Sequence, residues 1–112
     1  MSKHPSVPVV TVSDLDDDAV MVDVRELDEW DAGHAPEAVH IPMADLPGQI
    51  EELPLGDRPL AIVCRSGNRS GRAVAWLSQQ GVEAVNVAGG MQAWDAAGKP
   101  MVAESGGPAR VM

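Results

Sequence analysis

Phenylalanine and tyrosine are absent from this 112-residue chain, and three tryptophans carry all its aromatic bulk. The core must therefore be built from Val, Leu, Ala, Ile and Met, which is feasible because apolar residues make up 45% of the sequence. Basic residues are also scarce: eight Lys and Arg face 17 Asp and Glu, for a net charge of −9. That balance argues against nucleic-acid binding, which needs a basic footprint, and against an anionic membrane surface. An anionic substrate would have to be gathered by a local positive patch, because the global field repels it. No apolar run approaches membrane-spanning length. The N-terminal MSKHPSVPVV lacks the apolar stretch behind basic residues that marks a signal peptide. The expected setting is the reducing cytoplasm. Cys64 is the only cysteine, which excludes an intramolecular disulfide and a multi-cysteine zinc site. It is either a buried structural thiol or a reactive one.

What is present alternates between short apolar runs and helix-like stretches. Residues 7–12 and 19–24 read as strands, with Ser13 and Asp16 as a capping pair between them. The acidic residues 16–18 lack the ligand spacing of a calcium loop. Residues 26–32 suit a short helix stopped by Gly33, and residues 39–41 a brief strand ended by Pro42. Leu46, Ile50 and Leu53 recur at helical spacing. Residues 60–63 (LAIV) form a buried-strand run that leads into Cys64. Residues 70–80 read as a helix closed by Gly81, Val85 and Val87 as a last strand, and Met91, Trp94 and Ala97 as one face of a final helix. Residues 1–6 read as an extension and residues 103–112 as a loose tail. Between them lies one domain, without repeats or a linker. The alternation implies an α/β fold, a parallel sheet with helices on both faces. Each tryptophan sits on a different helix beside an apolar neighbour, so core packing is the reading for all three.

The chemistry concentrates in LAIVC-RSGNRS-GRAVAWL. A strand ends at Cys64 and a helix begins about six residues later. In open α/β sheets this edge is where ligands bind. Arg65, Ser66, Gly67, Asn68, Arg69 and Ser70 are polar or small, and Gly67 tolerates the positive φ that a concave loop requires. Backbone N–H groups can then converge on the sulfur, helped by the helix N-terminus. Arg65, Arg69 and that N-terminus should lower the thiol pKa from its free value of ~8.5. The competing view, a structural cysteine beside a solvated basic loop, does not account for two arginines and a glycine flanking the thiol.

VDVRELDEWDAGHAPEAVHIP, VCRSGNRS and GGMQAWDAAGKPMV, in that order and spacing, resemble the signatures of single-domain rhodaneses, the thiosulfate sulfurtransferases. The matching positions are Asp23, Val24, Arg25, Glu26, Gly33, His34, Pro36, Ala38, Ile41 and Pro42, then the Cys64 loop, then Gly89, Gly90, Ala93, Trp94, Gly98 and Pro100. Glu37 departs from the pattern, which often has Gly there. The resemblance spans roughly residues 7–102 and implies a rhodanese-like fold with five parallel strands. It implies that Cys64 attacks a small anionic sulfur donor, carries a persulfide, and yields the sulfur to a thiol or cyanide acceptor. No cofactor and no metal are called for, and a protein sulfur donor or acceptor would also suit. Asp23 and Arg25 are expected to form a structural polar network, His34 to bond nearby backbone, and Gly89 and Gly90 to form the turn beside the active loop. Two other functions compete. Cysteine phosphatases and arsenate reductases cradle an oxyanion around a cysteine, but with five residues between Cys and Arg; here Arg69 follows Cys64 after four. A persulfide carrier or partner-binding module is the other.

Overall fold

The computed structural model describes residues 7–112; the residue 1–6 extension lies outside the described residues. Five strands form one sheet: β1 (Val9–Val10), β2 (Met21–Asp23), β3 (Val39–His40), β4 (Leu60–Val63) and β5 (Ala84–Val87). Their order is β1-β5-β4-β2-β3 and every pairing is parallel. β4 lies at the centre, and all four of its residues are buried. Three α-helices accompany the sheet: α1 (Leu27–Ala32), α2 (Asn68–Gln79) and α3 (Gly90–Ala96). The first expected strand, residues 7–12, is reduced to two paired residues. Its neighbouring turn is capped by Thr11 and Asp14, not by Ser13 and Asp16, because residues 12–14 form a 3-10 turn that takes Ser13 into its interior.

Side-chain alternation divides the core into two layers. Val22, Leu60, Ile62 and Ala84 face one side, where Ala73, Val74 and Leu77 of α2 cover them with Leu46 and Leu53. Met21, Ala61, Val63 and Val87 face the other, against Met91 and Trp94 of α3. Leu46 belongs to 3-10 turns over Met43–Glu52, interrupted at Gln49, and Leu53 caps their end; the stretch is not one α-helix. Pro47, inside this stretch, has no N–H to donate. Trp94 is wholly buried, with its indole N–H on the Pro100 carbonyl at 2.8 Å. Trp76 packs at the edge of the α2 layer. Trp30 is different: it stacks on His34, ring centroids 3.5 Å apart, and on His40 at 4.8 Å. No helix among the described residues is long and apolar enough to cross a membrane.

Residues 103–112 contain no helix or strand, yet they lie against the body. The Glu104 and Arg110 N–H groups donate to the carbonyls of Asp31 and Ala32, at 3.1 and 2.9 Å. Val111 packs on the α3 layer. This explains Gly33, whose φ of 170° is extended: a Cβ there would fall 2.6 Å from the Arg110 carbonyl oxygen. Glu37 occupies an exposed turn.

Candidate active site

β4 delivers Cys64 to the C-terminal edge of the sheet, and α2 begins at Asn68, two residues earlier than the apolar periodicity suggests. Gly67 makes that early start possible. It precedes the helix at φ 108°, a left-handed conformation that favours glycine. Ser70 therefore lies in the first turn of α2 and is fully buried. The Gly67 N–H donates to Cys64 Sγ at 3.1 Å and the Ser70 hydroxyl to the same sulfur at 3.2 Å. Cys64 itself is only 1% exposed, at the floor of this cradle. Burial pushes the thiol pKa up. Hydrogen bonds from the Ser70 hydroxyl and from the Ser70, Gly67 and Ser66 backbone N–H groups outweigh that, so the net shift is downward.

A second helix anchors the loop from behind. The Met91 N–H donates to the Cys64 carbonyl at 2.8 Å and the Gln92 N–H to that of Arg65 at 3.0 Å. Gly90 permits this approach, since a Cβ there would collide with the Cys64 carbonyl oxygen and lie 2.6 Å from the Arg65 carbonyl carbon.

Asn86, from β5, was not singled out by the sequence. Its Nδ2 donates to the Gly67 carbonyl at 3.1 Å, which turns Oδ1 toward Ser70; the Ser70 hydroxyl reaches that oxygen at 2.6 Å. A hydroxyl has one proton. While Ser70 donates to Asn86, its oxygen is free to accept from the Cys64 thiol; when the sulfur ionises, the proton turns to it. The available signal was a buried amide within the otherwise apolar AVNV strand.

The arginines do not converge on the sulfur. Arg69 makes a two-point ion pair with Glu29 of α1, Nη1 to Oε1 at 2.7 Å and Nη2 to Oε2 at 2.9 Å. Arg65 is exposed, and its Nε donates to the Met112 main-chain oxygen at 2.6 Å. Ser66 and Asn68 are exposed on the loop and at the start of α2. The downward thiol shift expected from the arginines is present, but its causes are Ser70 and the backbone amides. Asp23 and Arg25 form a buried ion pair, Oδ2 to Nη2 at 2.7 Å, with the same nitrogen on the Gly33 carbonyl at 2.8 Å. His34 Nδ1 donates to the Ala35 carbonyl at 2.8 Å, and His40 Nε2 to that of Arg25 at 2.7 Å.

A parallel five-stranded sheet with a cysteine cradle at its C-terminal edge defines a rhodanese-like domain. The model of that family, the rhodanese-like domain, matches residues 11–97, and the chain belongs to it. A sulfurtransferase of Allochromatium vinosum is 43% identical over 91 residues, 80% of this chain and 84% of that protein. The thiosulfate sulfurtransferase GlpE of Pseudomonas syringae is 40% identical over 77 residues, 68% of this chain and 72% of its own length. Among solved structures, a rhodanese-related protein from Thermoplasma volcanium superimposes with a TM-score of 0.75 at 37% identity, covering 85% of this chain and 97% of that one.

Proposed function

We propose that this protein transfers sulfane sulfur through a persulfide on Cys64. The observation that carries the reading is the sulfur itself, held at the sheet edge by the Gly67 N–H and the Ser70 hydroxyl, with its pKa drawn down. The Cys64 thiolate attacks the outer sulfur of thiosulfate or of a persulfide donor. The new S–S bond forms as the old one breaks, and sulfite or a thiolate leaves with the electron pair. The terminal persulfide sulfur then faces Ser66, Gly67, Asn68 and Ser70. A thiol or cyanide attacks it and returns the Cys64 thiolate. Arg65 and Arg69 border the donor's path. No further co-reactant is consumed in either step. A protein sulfur donor or acceptor with a basic docking face would match the net charge of −9.

Phosphoryl transfer would need an arginine turned into the loop to bind two equatorial oxygens. Arg69 instead gives both terminal nitrogens to Glu29, which supports sulfur over phosphate chemistry. Intact-mass measurement after incubation with thiosulfate should find the protein one sulfur atom heavier. Cyanide should remove the increment, and the folded Cys64→Ser variant should never acquire it. An aryl-phosphatase turnover that depends on Cys64 and outpaces sulfur transfer would overturn the reading.

A further inference from the structure

The charges around the cradle bear on which donors the protein prefers. Arg69, in the first turn of α2, feels the charge on Cys64. Both terminal nitrogens of its guanidinium donate to Glu29, whose side chain is mostly shielded from solvent. Two other charges act on this pair. The Asp23 carboxylate acts on Arg69 and the Arg25 guanidinium on Glu29, and Asp23 and Arg25 are themselves joined. These four residues are two cations and two anions, so together they offer an incoming anion no net attraction. Arg65, the other arginine of the Cys64 loop, gives its Nε to the Met112 main-chain oxygen.

We propose that Glu29 is a specificity-determining residue that, by occupying Arg69, selects singly charged sulfur donors, persulfides and thiosulfonates, over the thiosulfate dianion. The inference rests on the sulfurtransferase reading above. In both donor classes the chemistry at Cys64 is the same. Thiosulfate releases sulfite, whereas a thiosulfonate releases a sulfinate, with the breaking S–S bond leaving its electron pair on the departing group. The donors differ by one unit of charge; the chain's −9 disfavours the dianion, and the neutral quartet does not offset that. Glu29 is held at a pKa of about 2, chiefly by its hydrogen bonds to Arg69, so the carboxylate remains charged across neutral pH.

The test is Glu29→Gln. The amide keeps an oxygen for the Glu26 N–H, which Glu29 Oε1 accepts at 3.1 Å, and so preserves the start of α1. It removes one negative charge and leaves the quartet at +1. With thiosulfate and methanethiosulfonate as donors and cyanide as acceptor, the ratio of kcat/KM for thiosulfate to that for methanethiosulfonate should rise about threefold or more. The gain should lie mainly in KM and shrink at high ionic strength. In an Arg69→Gln background the same substitution should produce a smaller rise; an equal rise would remove Arg69 from the proposal. A fall in kcat/KM for both donors by the same factor would show that Glu29 is only a clamp between α1 and α2, and would overturn the inference while leaving sulfur transfer intact. Absence of a Cys64 adduct with either donor in the unaltered protein would remove the reading and the inference together.

Discussion

At the scale of single residues, the cradle assigns unequal work to side chains that look equivalent in the sequence. Arg65 and Arg69 flank the thiol and invite an electrostatic account of its acidity. The sulfur instead takes its hydrogen bonds from a hydroxyl and from backbone amides, and Ser70 is the largest of these stabilising influences. Ser70→Ala should therefore raise the thiol pKa and slow alkylation of Cys64 at neutral pH by roughly tenfold, since a hydrogen bond to a charged group is worth about 1.5–3 kcal/mol. An alkylation rate against pH that superimposes on that of the unaltered protein would refute the assignment. The polar loop and its cysteine were legible in the sequence because the residues that matter are contiguous there. Glu29 and Asn86 were not. Glu29 lies 40 positions from Arg69 and Asn86 lies 16 positions from Ser70, and only the sheet brings them together.

At the scale of elements, the strand–loop–helix unit from β4 to α2 was readable because an apolar run and a helical stripe bracket a polar stretch. Its helix start was misplaced, since Gly67, Asn68 and Arg69 carry no apolar periodicity and the helix is set there by backbone geometry. The Met43–Glu52 stretch shows the opposite limit: Leu46, Ile50 and Leu53 keep helical spacing, yet the backbone is 3-10 with an interruption. The short helix α1 buries no residue completely, so its tie to α2 through Glu29 and Arg69 matters for its placement. That tie has a pH signature. Glu29 falls from an ordinary 4.5 to about 2 in the folded protein, with Arg69 as the main cause. A depressed acid pKa contributes stability that is present above the unfolded value and is lost as pH falls through the folded one. The unaltered protein should thus lose this contribution between about pH 4.5 and about pH 2. Glu29→Gln should lack it throughout. Denaturant unfolding of both proteins across that range should give curves that converge toward acid; a gap unchanged from neutral pH to pH 2 would contradict the ion pair's role.

At the scale of the whole molecule, two apolar layers and a parallel sheet follow from short buried runs alternating with amphipathic stretches, which is why the fold class was legible without any long-range information. The C-terminal segment was not, because it has no period to read and its attachment is made by backbone. AESGGPARVM has the composition of a loose tail, yet its Glu104 and Arg110 amides satisfy the last carbonyls of α1, carbonyls that a six-residue helix leaves without internal partners. Met101 and Val111 add apolar cover to the layer that contains Trp94. His34 Nε2 meets the Glu104 carboxylate at 3.0 Å, and the segment's far end reaches Arg65 through the Met112 main-chain oxygen. Removing residues 103–112 would therefore do more than shorten an appendage. It would expose part of the α3 layer, free the end of α1 and release Arg65, the neighbour of Cys64 in the loop. The truncated protein should melt several degrees lower, as a loss of about 1–2 kcal/mol would produce in a domain of this size. Amide exchange should quicken in α1 before it quickens in β4, because the central strand keeps both of its neighbours. An unchanged melting temperature, together with unchanged protection of α1, would return residues 103–112 to the status of a loose tail.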